Sequence, residues 1–416
     1  MEKSLCWIDV QPVILCNDVG PGLETVSKIP RYRSYVGGKP LYTYAVKLLE
    51  ESNFTSKLND VILVVPKDEW ETAHRLNSIH KSSLKLRIFE LDKDVGSVEI
   101  LQKLLEKNLL KCQDIFVLPC DVYGEIDIQR ILEEHRMNFA TITAVFSEVP
   151  ATVKTPGQKF NSPQEHHSLG IDPYSKRLLM IDEDSIKGRI LLTYPNIDLK
   201  HVLSLYVYCI DKRLVQYLSR ISHNYMDIEE DLICHLVKEQ FKRRDGEVEE
   251  GDVQSELLLN DDYASIMEFS SGDWPNKEPG KLAVYAHIAT TKCFRVDNVH
   301  NFFLANTEVL SPDGVIEAGA QINPKSTIKN SYIGERSKVG LGVRIFNSVI
   351  YPDVTIEDGC IITDSLVFEG STLGSRSNLK EALVKAFQQM PSQCSLTQEV
   401  YGEDLESEDE LIRGSD

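Results

Sequence analysis

Three short stretches of this chain hold residue types that could handle a phosphorylated ligand. Cys16-Asn17-Asp18-Val19-Gly20-Pro21-Gly22 follows an apolar run at about 12–15. A loop there could bring backbone N–H groups against a phosphate, with Gly20 and Gly22 allowing the closest approach. Pro21 removes one of those donors, and a plain turn is the commoner use of such residues. Val36-Gly37-Gly38-Lys39-Pro40-Leu41 precedes a helical stretch at 42–51. Its glycines suit a turn and Pro40 suits a helix start. Lys39 could meet a phosphate, or it could be an ordinary surface lysine. Asp121 closes the apolar run 116–120. A carboxylate there could hold a Mg²⁺ ion bridging nucleotide phosphates, or it could cap a turn or helix. His166-His167 has only Glu165 beside it, without metal-ligand spacing, and reads as a loop.

Such groups need a frame. Val61 to Val65, Ile115 to Leu118 and Thr141 to Phe146 are continuous apolar runs, as in strands buried on both faces. Between them Val98 to Leu110 and Ile126 to His135 follow helical periodicity. Alternation of this kind predicts a Rossmann-like, doubly wound α/β sheet. Ligands of such sheets bind at the carboxyl ends of the strands, which is where the first loop and Asp121 fall.

The later chain has a different period. Ile316, Ile333, Ile350, Val367 and Val384 are 17 residues apart. So are Ile322, Val339, Ile356 and Leu373, and likewise Ile328, Ile345, Ile362 and Leu379. Steps of 6, 6 and 5 do not fit a helix of 3.6 residues per turn. They fit three short strands per coil around a common apolar core, with stacked coils burying one another. Positions four residues further on, such as Val349, Val354 and Leu366, are small or apolar and could share that interior.

At 416 residues, more than one domain is expected. The predicted layout is an α/β domain at 1–244, an acidic linker at 245–280, a solenoid domain at 281–390 with coils at about 316–384, and an acidic disordered tail at 391–416. The net charge of −19 disfavours a nucleic-acid binder, whose surface must offer Lys and Arg to phosphates. No run of about 18 apolar residues suggests a membrane helix, and the start does not read as a secretory signal. The nine cysteines lack C-x-x-C spacing, so reduced thiols in the cytosol are expected.

The solenoid pattern resembles the left-handed β-helix of hexapeptide-repeat acyltransferases and sugar-nucleotide pyrophosphorylases. Residues 306–390 contain no His, which argues against acetyl transfer. Residues 13–49 and 115–123 resemble the pyrophosphorylase family, which implies a nucleotidyltransferase-like first domain. Departures are marked. No Arg follows Gly22 before Arg31, Pro30-Arg31-Tyr32 stands where a Pro-Lys-Pro lysine is expected, and Leu203-Ser204-Leu205-Tyr206 replaces an Asn-x-Gly. Only Asp121 and Gly38-Lys39-Pro40-Leu41 match well. Nucleotidyl transfer needs several cations and amides around the polyphosphate, so the site reads as vestigial.

Pro156-Gly157-Gln158-Lys159, Gly170-Ile171-Asp172, Lys176 to Leu179, Leu199 to Leu218, Ile233 to Phe241, Arg295 to Asn298 and Ala305-Asn306 resemble the gamma-subunit family of eukaryotic translation initiation factor 2B. That resemblance implies no catalysis and no cofactor. It implies partnership with the epsilon subunit, other subunits of the complex and initiation factor 2, in support of GDP release. The sister epsilon family adds a helical exchange domain, for which the 32 or so residues after Val384 are too few. An active sugar-phosphate nucleotidyltransferase is the alternative.

Overall fold

The structure, a computed structural model, describes residues 10–16, 23, 26–52, 60–67, 84–92, 95–148, 166–182, 196–220, 225–240 and 282–402. Gly20, Gly22, the 245–280 linker and Pro156 to Lys159 lie outside them. The chain divides into two compact units. The first comprises Met1–Asn17, Ala45–Val149 and Glu165–Phe294; the second comprises Asp18–Tyr44, Pro150–Gln164 and Arg295–Asp416.

The first unit is the expected Rossmann-like α/β sheet. Strands β1 (Val10–Leu15), β4 (Asp60–Pro66), β5 (Lys85–Leu91) and β6 (Asp114–Pro119) run parallel in the order β6-β1-β4-β5. All six residues of β6 are buried, as a strand covered on both faces requires. Helices α2 (Ser97–Glu106) and α3 (Ile128–Met137) are amphipathic and bury Ile100, Leu101 and Leu104, and Ile131 and Leu132. Asp127 caps α3 by accepting from the Arg130 N–H. Strand β8 (Ile142–Glu148) is not flanked only by parallel neighbours. It pairs antiparallel with β11 (Asp198–Asp211) and parallel with β12 (Val284–Ala289).

His166 and His167 do not sit in a loop. They open strand β9 (His166–Ile171), which pairs with β10 (Leu178–Ile181) and with β11. Pairing with β11 satisfies the backbone of a segment whose own sequence, with only two apolar side chains, carries little strand signal. The carboxyl half of β11 pairs with β6. Between the two halves its register shifts at Ser204/Val207, where Tyr206 adopts φ +52°. Such a bulge re-aims side chains.

The second unit is a parallel β-helix of the left-handed family type. Each 17-residue coil contributes strands such as Tyr332–Ile333, Lys338–Val339 and Arg344–Phe346, and each strand pairs in parallel with its equivalent 17 residues on. Ten of the thirteen ladder residues, from Ile333 to Val384, are buried. Ile322 and Ile328 are half-buried, and Ile316 is 52% exposed. These three stand on the first coil, which has a neighbouring coil on one side only.

The coils also run past the expected boundary at 390. Strands Ser395–Thr397 and Val400–Tyr401 complete another turn. The 17-residue step simply continues from Leu373 to Met390, Leu379 to Leu396 and Val384 to Tyr401. A count restricted to Ile, Leu and Val stops short because Met and Tyr fill these places.

The second corner residue type explains the irregular spacing. Asn330, Asn347, Asp364, Glu381 and Gln398 each take φ between +46° and +55°, which tightens that corner to two residues. Asn330 donates to Asn347 (2.8 Å), Asn347 donates to Asp364 (2.5 Å), and Gln398 donates to Glu381 (2.7 Å). The strain of left-handed backbone is thus offset by a polar ladder along one edge. Next to it Ser331, Ser348 and Ser365 accept from the following coil's N–H at 3.1 Å.

The first face of the solenoid is apolar on both sides. Tyr332, Val349, Leu366 and Leu383 are buried, and by strand alternation they point away from Ile333, Ile350, Val367 and Val384. Val349 and Leu366 therefore do not share the interior. On this outer side Tyr332 meets Tyr35, Tyr351 and Phe368 meet Phe302 of α6 (Val299–Val309), and Glu369 meets Ser27.

Candidate functional site

Asp121 lies just beyond the carboxyl end of β6, beside β1, and is 1% exposed. The Cys120 N–H donates to the Leu15 carbonyl at 2.9 Å, which fixes the start of this turn against the end of β1. The chain then enters β7 (Val122–Gly124), which pairs with β13 (Cys293–Arg295). Gly124 has φ +113°, and a Cβ there would meet the Lys292 carbonyl oxygen at 2.2 Å. No other residue type fits that approach. Asp121 is therefore held in place by backbone on both sides. Among the described residues no group of three or more His, Cys, Asp or Glu is placed to hold a metal ion.

Lys39 belongs to the other unit. It is exposed on a two-stranded hairpin, β2 (Tyr35–Val36) and β3 (Lys39–Pro40), whose turn is Gly37-Gly38 with φ of +55° and +82°. Positive φ at both turn positions is what a tight hairpin of this kind requires. The hairpin is clamped to the solenoid. Asn306 of α6, fully buried, accepts from the Gly37 N–H at 3.0 Å and donates to the Phe302 carbonyl at 3.0 Å. Tyr35 stacks on Tyr332, with ring centroids 6.5 Å apart. Helix α1 (Tyr42–Glu51) then begins where Pro40 leaves off.

Arg31, which stands where a phosphate-binding lysine was expected, is 3% exposed within a short 3₁₀ turn. Just before it, Glu369 of the solenoid is gripped by the incoming chain. It accepts from Ser27 Oγ with both oxygens at 3.0 Å and from the Lys28 N–H at 2.7 Å. Burial pushes the Glu369 carboxyl above the usual range, against the pull of those donors. The Lys28 N–H and the Ser27 hydroxyl thus already hold a carboxyl group of the chain itself.

The first unit contains a polar cluster that the sequence did not disclose. Glu229, on a π-helical turn Ile228–Ile233, is 1% exposed. It accepts from Tyr208 OH at 2.6 Å and from Ser204 Oγ, and it faces His167 Nε2 at 3.2 Å. His167 Nδ1 bonds Asp182. Ser204 Oγ also accepts from the Tyr206 N–H, which pins the β11 bulge. Burial drives Glu229 upward in pKa, with Ser204, Tyr208 and His167 opposing. Five residues spread from 167 to 229 meet here, and no local spacing announces them. The arrangement orients β9 and β11 on the π-turn.

These features define a class: a Rossmann-like α/β unit followed by a parallel β-helix, the architecture shared with pyrophosphorylase-like proteins. Residues 310–414 match the family described as GMPPB C-terminal domain. Across 367 residues the chain is 22% identical to translation initiation factor eIF2B subunit gamma of Dictyostelium discoideum, covering 79% of this chain and 83% of that protein. The chain is similar to eIF2B gamma over both units.

Proposed function

We propose that this protein is a non-catalytic subunit of a complex of the initiation factor 2B type. In this reading it works in the cytosol beside an epsilon-like subunit and supports exchange of GDP for GTP on initiation factor 2. The observation that carries the reading is the extent of the likeness to eIF2B gamma, which spans 367 residues and both units. The placement of individual residues supports it. Arg31 is buried, the Ser27 hydroxyl and the Lys28 N–H are occupied by Glu369, and the β11 bulge has Ser204 and Tyr206 where an Asn-x-Gly would be expected. Gly20 and Gly22 would then be remnants of a phosphate loop, and Lys39 and Asp121 structural survivors.

Affinity purification of the tagged full chain from cytosolic extract, followed by mass spectrometry, tests this. An epsilon-like subunit should co-purify in stoichiometric amount. A clean monomer that does not join initiation factor 2B subunits on mixing would overturn it.

One observation favours a second reading, an active sugar-phosphate nucleotidyltransferase: Asp121 is held rigidly at the carboxyl end of β6. Pyrophosphate release from a nucleoside triphosphate and a hexose 1-phosphate in Mg²⁺, abolished in Asp121→Ala, would establish it.

A further inference from the structure

The third face of the solenoid differs from the rest of the molecule in charge. It is built from the strands Thr327–Lys329, Arg344–Phe346, Ile361–Thr363, Asn378–Lys380 and Ser395–Thr397. The middle residue of each strand points inward, leaving ten outward positions. They hold Lys329, Arg344 and Lys380 and no carboxylate, in a chain whose net charge is −19. All three cations are exposed, and none forms an ion pair among the described residues.

Four of the carboxylates beside this face are engaged at its corners, while Glu399 at the second corner is exposed. Asp358 accepts from the Leu341 N–H at 2.6 Å and Glu357 from the Ser375 N–H at 2.8 Å, both at one corner. Asp364 and Glu381 accept from the amide ladder at the other. These bonds fix where the carboxylates point, and the outward positions of the flat face between them hold three cations and no anion.

Apolar side chains alternate with the cations. Phe346 follows Lys329 in one column, and Ile361, 41% exposed, follows Arg344 in the other. Leu341 adds a 44% exposed side chain at the adjoining corner. Coils stack about 4.8 Å apart, so Lys329 and Lys380, three coils apart, are separated by roughly 14 Å. An extended chain covers that distance in about four residues.

We propose that this face is a docking surface for an extended acidic segment of another protein, in which carboxylates alternate with apolar side chains. The carboxylates would meet Lys329, Arg344 and Lys380, and the apolar side chains would cover Ile361 and Phe346. A nucleic acid or other pure polyanion would leave the two apolar residues uncovered. The inference rests on the solenoid alone and stands apart from the subunit reading: the face could dock such a segment whichever complex the chain joins.

Fluorescence anisotropy with the full chain tests it. The probes are a labelled peptide of alternating Glu and Leu, the same peptide with Gln for Glu, and a single-stranded RNA of equal length. The Glu-Leu peptide should bind, and its affinity should fall roughly tenfold as salt rises from about 0.05 to 0.5 M. The triple variant Lys329→Glu, Arg344→Glu, Lys380→Glu should weaken it by roughly tenfold or more, and Ile361→Asp should weaken it as well. Lys338→Glu, on the second face, should leave it unchanged, and all variants should melt with the parent because every site is exposed. Equal affinity in the triple variant, tighter binding of the Gln peptide or of the RNA, or self-association of the chain that the triple variant abolishes would each overturn the proposal.

Discussion

Single residues set how this fold responds to pH. His135 is buried against Thr143 at 2.9 Å, and burial lowers its pKa. The unfolded chain therefore takes up a proton at a higher pH than the native one, so stability should fall as pH drops below about 6.5. His135→Gln, which can keep the Thr143 contact, should flatten this acid limb in thermal melts between pH 7 and 5. Glu369 carries the opposite sign. Its native pKa is raised by burial, so its contribution is fully present below the ordinary carboxyl pKa and is lost as pH rises through the native value. Glu369→Gln keeps an acceptor for Ser27 and Lys28 and removes the charge. Relative to wild type, this variant should gain stability between pH 5 and 8. A wild-type melting temperature that runs parallel to that of Glu369→Gln over this range would contradict the assignment.

At the scale of elements, the solenoid coil was legible because everything that specifies it is local. Interior positions repeat every 17 residues, and the corner residues that permit left-handed backbone lie between them. What it buries follows the same rule. Ile362→Ala empties a site with 0% exposure and should cost about 2–5 kcal/mol in urea unfolding, whereas Ile316→Ala, 52% exposed, should cost less than about 0.5 kcal/mol. The hairpin at 35–40 makes a sharper demand. A Cβ on Gly37 would lie 2.3 Å from Val309 Cγ1, at φ +55°. Gly37→Ala should therefore cost about 1–3 kcal/mol and should loosen the hairpin from α6, read as faster amide exchange at Gly37 itself.

The less legible elements depend on partners far along the chain. His167 sits in a strand because β11 offers it an edge, and its ring is bonded because Asp182 and Glu229 arrive from 15 and 62 residues away. The candidate residues Lys39 and Asp121 could be marked from glycine, proline and strand ends. Nothing in their spacing shows that they fall in different compact units. Arg31 looked like a lost lysine in sequence, and only packing shows that its place is interior.

For the whole molecule, the last described coil offers a direct check on the expected boundary at 390. A chain ending at 402 keeps the strands at 395–397 and 400–401 and should melt with the full protein. A chain ending at 390 uncovers Leu379, Leu383 and Val384, and its solenoid should melt several degrees lower. Equal melting of the two would return the boundary to 390.

The attachment of residues 26–41 to the solenoid also has a consequence in time. Ser27 and Glu369 are 342 residues apart. At a synthesis rate of roughly 5–20 residues per second, Ser27 leaves the ribosome about 20 to 70 s before its partner exists. The α/β sheet can close around β1 meanwhile, but the stretch that follows β1 must wait, with Val26, Tyr32 and Val36 unburied. When the coils form, their first face presents Tyr332, Tyr351 and Phe368 until that stretch returns. The nascent chain of this protein thus carries one apolar stretch uncovered through most of its own translation, and the surface that covers it is completed only near the end.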